Sequence, residues 1–177
     1  MTLIKEHEIS DKALREIAEK MMIAARTAPK GRGQNTITLA LAEKDDIEKI
    51  AKRMKEIDKQ MDFSAFTRDA NNILNCSVML LMGTSIKPLG LKKCGMCGYA
   101  NCAEKEEHPD IPCVLNVTDL GIAVGSAASV AMDNRVDNRI LYTAGQAVLD
   151  LHLLGDDVKV AYCIPISSSS KNIFFDR

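Results

Sequence analysis

The chain has 177 residues, 46% of them hydrophobic and 27% charged, with a formal net charge of −1 at pH 7. That balance suits one core-forming domain with room for a small inserted module, and it offers no basic field for nucleic acid or an acidic membrane surface. Trp is absent and aromatic residues make up only 4%, so the stacking platform of a single-strand nucleic-acid binder is missing too. The charged opening MTLIKEHEISDKALR has no apolar signal core, and no other run reads as long enough to cross a bilayer. The expected compartment is the cytoplasm, with no membrane partner.

Ser10 and Asp11 open a helix in which Ala13, Leu14, Ile17, Ala18, Met21, Met22, Ala25 and Ala28 recur at helical spacing. Pro29 and the following KGRG end it. Residues 36–42 (TITLALA) alternate polar and apolar and predict a strand. Asp45 and Asp46 begin a second helix with Ile47, Ile50, Ala51, Met54 and Ile57 on one face. Ser64 caps a third, ending near Asn75. Residues 77–83 (SVMLLMG) are apolar without alternation, as in a strand covered on both faces.

Residues 85–112 show no periodic pattern, and a loop of this length inside a compact domain is usually functional or disordered. It holds Cys94, Cys97 and Cys102, and Cys113 follows it, spaced C-x2-C-x4-C-x10-C. Four soft thiolates so close together can converge on one metal centre, which would supply the core that the loop lacks. A two-residue and a four-residue gap suit an iron–sulfur cluster. Gly95 and Gly98 would relieve crowding there and let backbone N–H groups point at sulfide, while Met96, Ala100 and Ala103 would limit water. Zinc is the alternative, since it takes four cysteines tetrahedrally, and His108 could replace one. Lys92 and Lys93 read as solvated loop charges. Cys76 and Cys163 stand apart in apolar, strand-like surroundings and read as buried thiols.

From Cys113 to Met132 the chain turns small and apolar. Gly121, Gly125 and Ala128 make a narrow stripe that would let this helix approach another backbone closely. A further helix is expected over residues 138–153, with His152 in a core position. Gly155 stops it, and residues 158–166 (VKVAYCIPI) form a last strand. In DNRVDNR, Arg135 and Arg139 read as pairing with Asp133 and Asp137 across a helix junction. No catalytic constellation stands out away from the cysteines.

The block CGMCGYANCAE, followed by Cys113 and DLGIAVGSA, resembles the 4Fe–4S domain of the corrinoid iron–sulfur protein of acetyl-CoA synthesis. The longer stretch that includes VDNRILYTAGQAV and SSSSKNIFFDR resembles a family described as ferredoxin-domain-containing proteins. The segment from IAEKMMIAARTAP to DDIEKIAKRM is similar to the helix–loop–strand–helix of flavin-dependent nitroreductases. DLGIAVGSAASVAM and VKVAYCIPIS match that fold's central helix and late strand.

The nitroreductase resemblance implies an α+β fold, a small sheet flanked by helices, in a homodimer formed through the central helix. Residues 1–177 would be a single domain, with 85–118 as an inserted cysteine-rich 4Fe–4S-type loop. It also implies FMN, which Lys30, Arg32, Gln34 and Asn35 could contact at a phosphate or the flavin ring. The arginine-rich phosphate segment of that fold has no counterpart in MTLIKEHEIS.

Taken together, the residues predict a redox protein. One 4Fe–4S cluster on Cys94, Cys97, Cys102 and Cys113 would pass single electrons to a partner protein or a small-molecule acceptor, with a coupled flavin activity as an extension. The alternative is a non-catalytic module in which zinc or a cluster only staples a binding loop.

Overall fold

A computed structural model describes residues 3–175. Four strands, β1 (Ile37–Glu43), β2 (Val78–Ser85), β3 (Asp137–Asn138) and β4 (Val158–Ser167), form one antiparallel sheet in the order β1–β2–β4–β3. The non-alternating strand β2 takes a central place, because only a position covered on both faces buries every side chain of an apolar run. Its register sets Leu80 between Leu41 of β1 and Ile164 of β4.

Helices cover both faces. Leu80, Met82, Ile164 and Ile166 point into a core with α1 (Ser10–Thr27) and α5 (Val114–Asp133). Met79, Leu81, Ala161 and Cys163 point the other way, against α2 (Lys44–Met61), α3 (Ala65–Ile73) and α6 (Tyr142–Asp150). The apolar residues foreseen on the first two helices supply the buried faces: Leu14, Ala18, Met21 and Ala25 on α1, and Ile47, Ile50, Ala51, Met54 and Ile57 on α2. Gly145 lets α6 lie directly on β4, since a Cβ there would come within 2.0 Å of the Ala161 carbonyl oxygen. Thr143 Oγ1 donates to the buried Asp69 carboxylate at 2.8 Å and ties α6 to α3. The mixed helix–sheet fold expected from the sequence is the fold observed.

Several local expectations differ. The helix predicted from residue 138 starts at Tyr142, because Asp137 and Asn138 pair with Ser167 and Ile166 as a short fourth strand. His152 is not in the core. It lies just past α6 with φ 53° and an exposed ring, its Nδ1 2.9 Å from Asp156 Oδ1. No ion pair among the described residues joins Asp133, Arg135, Asp137 and Arg139. Arg139 instead donates to the Phe174 carbonyl at 2.7 Å and lies over the Phe175 ring.

Helix α5 is, by length and composition alone, apolar enough to cross a membrane, contrary to the sequence reading. In this fold it packs on α1 and the sheet through Leu120, Ala123, Val124, Ala127 and Ala131. The glycine stripe faces outward: Gly121 and Gly125 have nothing within 4 Å of an added Cβ, and Ile122 and Met132 are exposed beside them.

Candidate metal centre

The chain leaves β2 at Ser85, whose N–H donates to the Thr36 carbonyl at 3.1 Å, and reaches α5 only at Val114. The connection between them is pinned at few places. Lys87 N–H donates to Asn116 Oδ1 on α5 at 2.9 Å, and Leu89 is buried just after it. Gly90, Gly95 and Gly98 all have left-handed φ values, 64°, 72° and 92°, which L side chains adopt at a cost. Two of these glycines flank Met96 and Cys97, and Gly98 N–H closes the turn on the Gly95 carbonyl at 3.1 Å.

A short helix, α4 (Cys102–Glu106), follows. Asn101 caps it by accepting from Glu104 N–H at 3.0 Å, and the Glu104 carboxylate accepts from Ala100 N–H at 2.7 Å. This reciprocal cap holds Cys102 at the first turn. Cys113 occupies the N-cap position of α5 but does not use its thiol to cap, which leaves the sulfur free for another partner.

These local structures bring the four predicted ligands together. Cys94, Cys97, Cys102 and Cys113 line one small cavity of about 20 Å³, closed by Pro88, Leu89, Leu91, Val114 and Leu115 and also lined by Gly95, Asn101 and Lys105. None of the four is in a disulfide. Among the described residues, no three His, Cys, Asp or Glu side chains are gathered as they would be around a single metal ion. Four cysteines around one small cavity suit a thiolate-bound metal centre, zinc or an iron–sulfur cluster alike.

The water barrier is not where the sequence suggested. Met96, Ala100 and Ala103 are exposed, and the apolar wall comes from the two ends of the connection, Pro88 to Leu91 and Val114 to Leu115. His108 does not line the cavity; it stacks on Tyr99 at the surface, ring centroids 4.9 Å apart. Lys92 and Lys93 are exposed, as read. The charge that the sequence did not reveal is Lys105, 2% exposed and part of the cavity wall. Its one legible signal was position: it lies three residues after Cys102, on the same side of a helical turn.

Of Lys30, Arg32, Gln34 and Asn35, none lines this cavity, and Arg32 alone reaches the cysteine connection. Lys30 Nζ donates to the Ala25, Arg26 and Ala28 carbonyls at 3.1, 2.8 and 2.7 Å, satisfying the open end of α1. Its pKa is lowered, first by burial and then by Arg26, with Asp119 opposing. Arg32 has φ 54° and donates to the Leu89 carbonyl at 2.8 Å, with the Gly90 carbonyl at 3.4 Å. Gly31 N–H donates to the buried Asp119 carboxylate at 2.9 Å, and an added Cβ at Gly31 would meet Leu89 at 2.3 Å. Asn35 accepts from Arg26 and from Ile37 N–H. Gln34 N–H donates to the Gly31 carbonyl at 3.1 Å. The side chains of Lys30, Arg32 and Asn35 are thus engaged within the protein, and the segment locks α1 and α5 against the cysteine connection.

Cys76 and Cys163 are buried, as expected of isolated thiols. Burial pushes the Cys76 thiol up to about 12 and raises that of Cys163 as well.

Comparison with known proteins adds the following. A family described as "Uncharacterized protein containing a ferredoxin domain" matches residues 110–177, a stretch that includes Cys113 but stops short of the other three ligand candidates. An uncharacterized protein of Archaeoglobus fulgidus is 33% identical over 182 residues, covering 99% of this chain and 97% of that one. Among solved structures, a nitroreductase family protein from Clostridium novyi superposes with a TM-score of 0.61 at 14% identity, covering 98% of this chain and 81% of that one. A nitroreductase with bound FMN from Desulfitobacterium hafniense gives 0.59 at 15% identity, covering 92% and 79%. At such identities the likeness is one of fold. The chain therefore belongs to the family of proteins containing a ferredoxin domain, built on a nitroreductase-like fold.

Proposed function

We propose that this chain is an iron–sulfur redox protein in which Cys94, Cys97, Cys102 and Cys113 hold one 4Fe–4S cluster. The observation that carries this reading is the shared cavity: four free thiols from three separate local structures line one small, mostly apolar space. The ferredoxin domain of the family supports redox chemistry in general. Bound there, a cluster supplies reversible one-electron transfer.

The chain's own residues would do the rest. The glycine-bounded turn presents Cys94 and Cys97, the capped α4 presents Cys102, and the start of α5 presents Cys113. Pro88, Leu89, Leu91, Val114 and Leu115 restrict water, which helps set the potential. Electrons would pass to a partner protein or a small-molecule acceptor in the cytoplasm. The outward stripe of α5, with Gly121, Ile122, Gly125 and Met132, is the surface we assign to homodimer contact. The FMN extension is supported by the fold of FMN-binding relatives; the engagement of Lys30, Arg32 and Asn35 within the chain argues against it.

Anaerobic reconstitution followed by iron, zinc and acid-labile sulfide analysis tests the reading. Iron and sulfide in equal amounts near four per chain, with a visible spectrum that bleaches on reduction, are expected for a 4Fe–4S cluster (about four of each). One zinc and no iron would replace it with the stapled-loop reading. A yellow chromophore released by heat would add the flavin.

A further inference from the structure

Among the described residues Lys105 is the only buried Lys or Arg, 2% exposed, and it lines the cavity of the four cysteines. Among the described residues no hydrogen bond or ion pair engages its side chain. A carboxylate could have been its partner, and two lie next to it in sequence, but Glu104 accepts from the Ala100 N–H instead, and Glu106 is exposed. With only 2% of the residue exposed, the Lys105 side chain is packed into the cavity wall, so its charge is held close to the four thiols.

We propose that Lys105 is the built-in counter-ion of the metal centre: its ammonium faces the negative charge of an all-thiolate cluster and raises the cluster's reduction potential. This inference rests on the cluster reading above and deepens it. Reduction adds one electron, and so one negative charge, to a group already anionic through its four thiolates. A fixed positive charge in the wall stabilises the reduced form more than the oxidised one, and the low-polarity surroundings strengthen that preference. Lys92 and Lys93, although nearer the first ligand in sequence, are exposed and screened by solvent, so they contribute little.

The test compares wild type with Lys105→Met, which keeps the stem and removes the charge, and Lys105→Arg, which keeps the charge. Each protein is reconstituted anaerobically, its iron and sulfide per chain are measured, and the midpoint potential is followed by EPR in a mediated titration. Lys92→Met serves as the exposed-charge control. The expected result is full loading with a Lys105→Met potential displaced to more negative values. The oxidised-to-reduced ratio at fixed potential should change by at least tenfold, about 59 mV for one electron, with Lys105→Arg and Lys92→Met staying near wild type.

A Lys105→Met variant that fails to load while Lys105→Arg loads also supports the proposal, because the charge is then needed to assemble the anion. Equal potentials in wild type and Lys105→Met overturn it while leaving the cluster reading intact. Loss of loading in both variants overturns it as well, since shape and not charge would be what the wall requires. A wild-type protein that takes up no iron removes the cluster reading itself, a separate result read on a separate sample.

Discussion

The sandwich and the cysteine connection are held together by different means. In the sandwich, β2 buries seven of its eight residues, and two apolar clusters lock the sheet to five helices. In residues 86–113 only Leu89, Lys105 and Cys113 are buried, and the one helix there is five residues long. Burial of apolar surface is the main force available to a folded chain, and this segment has little of it. The difference teaches that the sandwich is ordered by its own apolar burial, and it predicts that the connection draws its order from the proposed centre.

That contrast can be broken most directly by emptying the centre. Cys97→Ser should abolish cluster binding and remove hydrogen-exchange protection from residues 86–113, while β2 and β4 keep theirs. A segment that stays as protected as β2 would mean that its few contacts suffice. The reverse cut falls on the sandwich. Leu80→Ala, at a fully buried site between β1 and β4, should destabilise the fold by about 3 kcal/mol, read by urea unfolding of the loaded protein, with iron per chain unchanged in the folded fraction. Gly145→Ala should cost about 2 kcal/mol by the same measurement, because the new methyl meets backbone rather than a movable side chain.

At the seam between the two regions, Lys30→Met removes three hydrogen bonds to the end of α1 and should cost about 1 kcal/mol, with the cluster retained. The smallest effect is chemical. In folded, metal-free protein at pH 8, Ellman's reagent should react with the partly exposed Cys94, Cys97 and Cys102 and spare Cys76 and Cys163. With its pKa near 12, Cys76 is thiolate in roughly one molecule in ten thousand at that pH. The sign for stability follows: unfolded, this thiol ionises from about 9, whereas folded it stays protonated until about 12. Its contribution is therefore complete below pH 9 and falls away as pH rises through that window.

Much of this was legible in the residues. Periodic apolar positions on α1 and α2, the unbroken run of β2 and the late strand β4 all report burial directly, because a helix or strand face repeats with a fixed period. Thiol spacing named the four cavity residues for the same kind of reason: a short chain with glycines between donors can only fold them close together. The two-residue strand β3 carries no periodic signal, since its pairing depends on Ser167 and Ile166, some thirty residues later. The outward turn of His152 was likewise set by a left-handed backbone past α6, not by the apolar character of its neighbours.

By itself, then, the order of residues determined which segments are helix or strand, which faces are apolar and which sulfurs gather. Those properties arise from side-chain periodicity and short loop closure, both of which act along the chain. Only the tertiary structure decided that Lys105 is enclosed with the thiols, that Lys30, Arg32 and Asn35 are engaged at a seam, and that the small stripe of α5 looks outward. Each of these depends on what segments distant in the chain place around a residue, and burial, pairing and charge compensation are properties of that surrounding space.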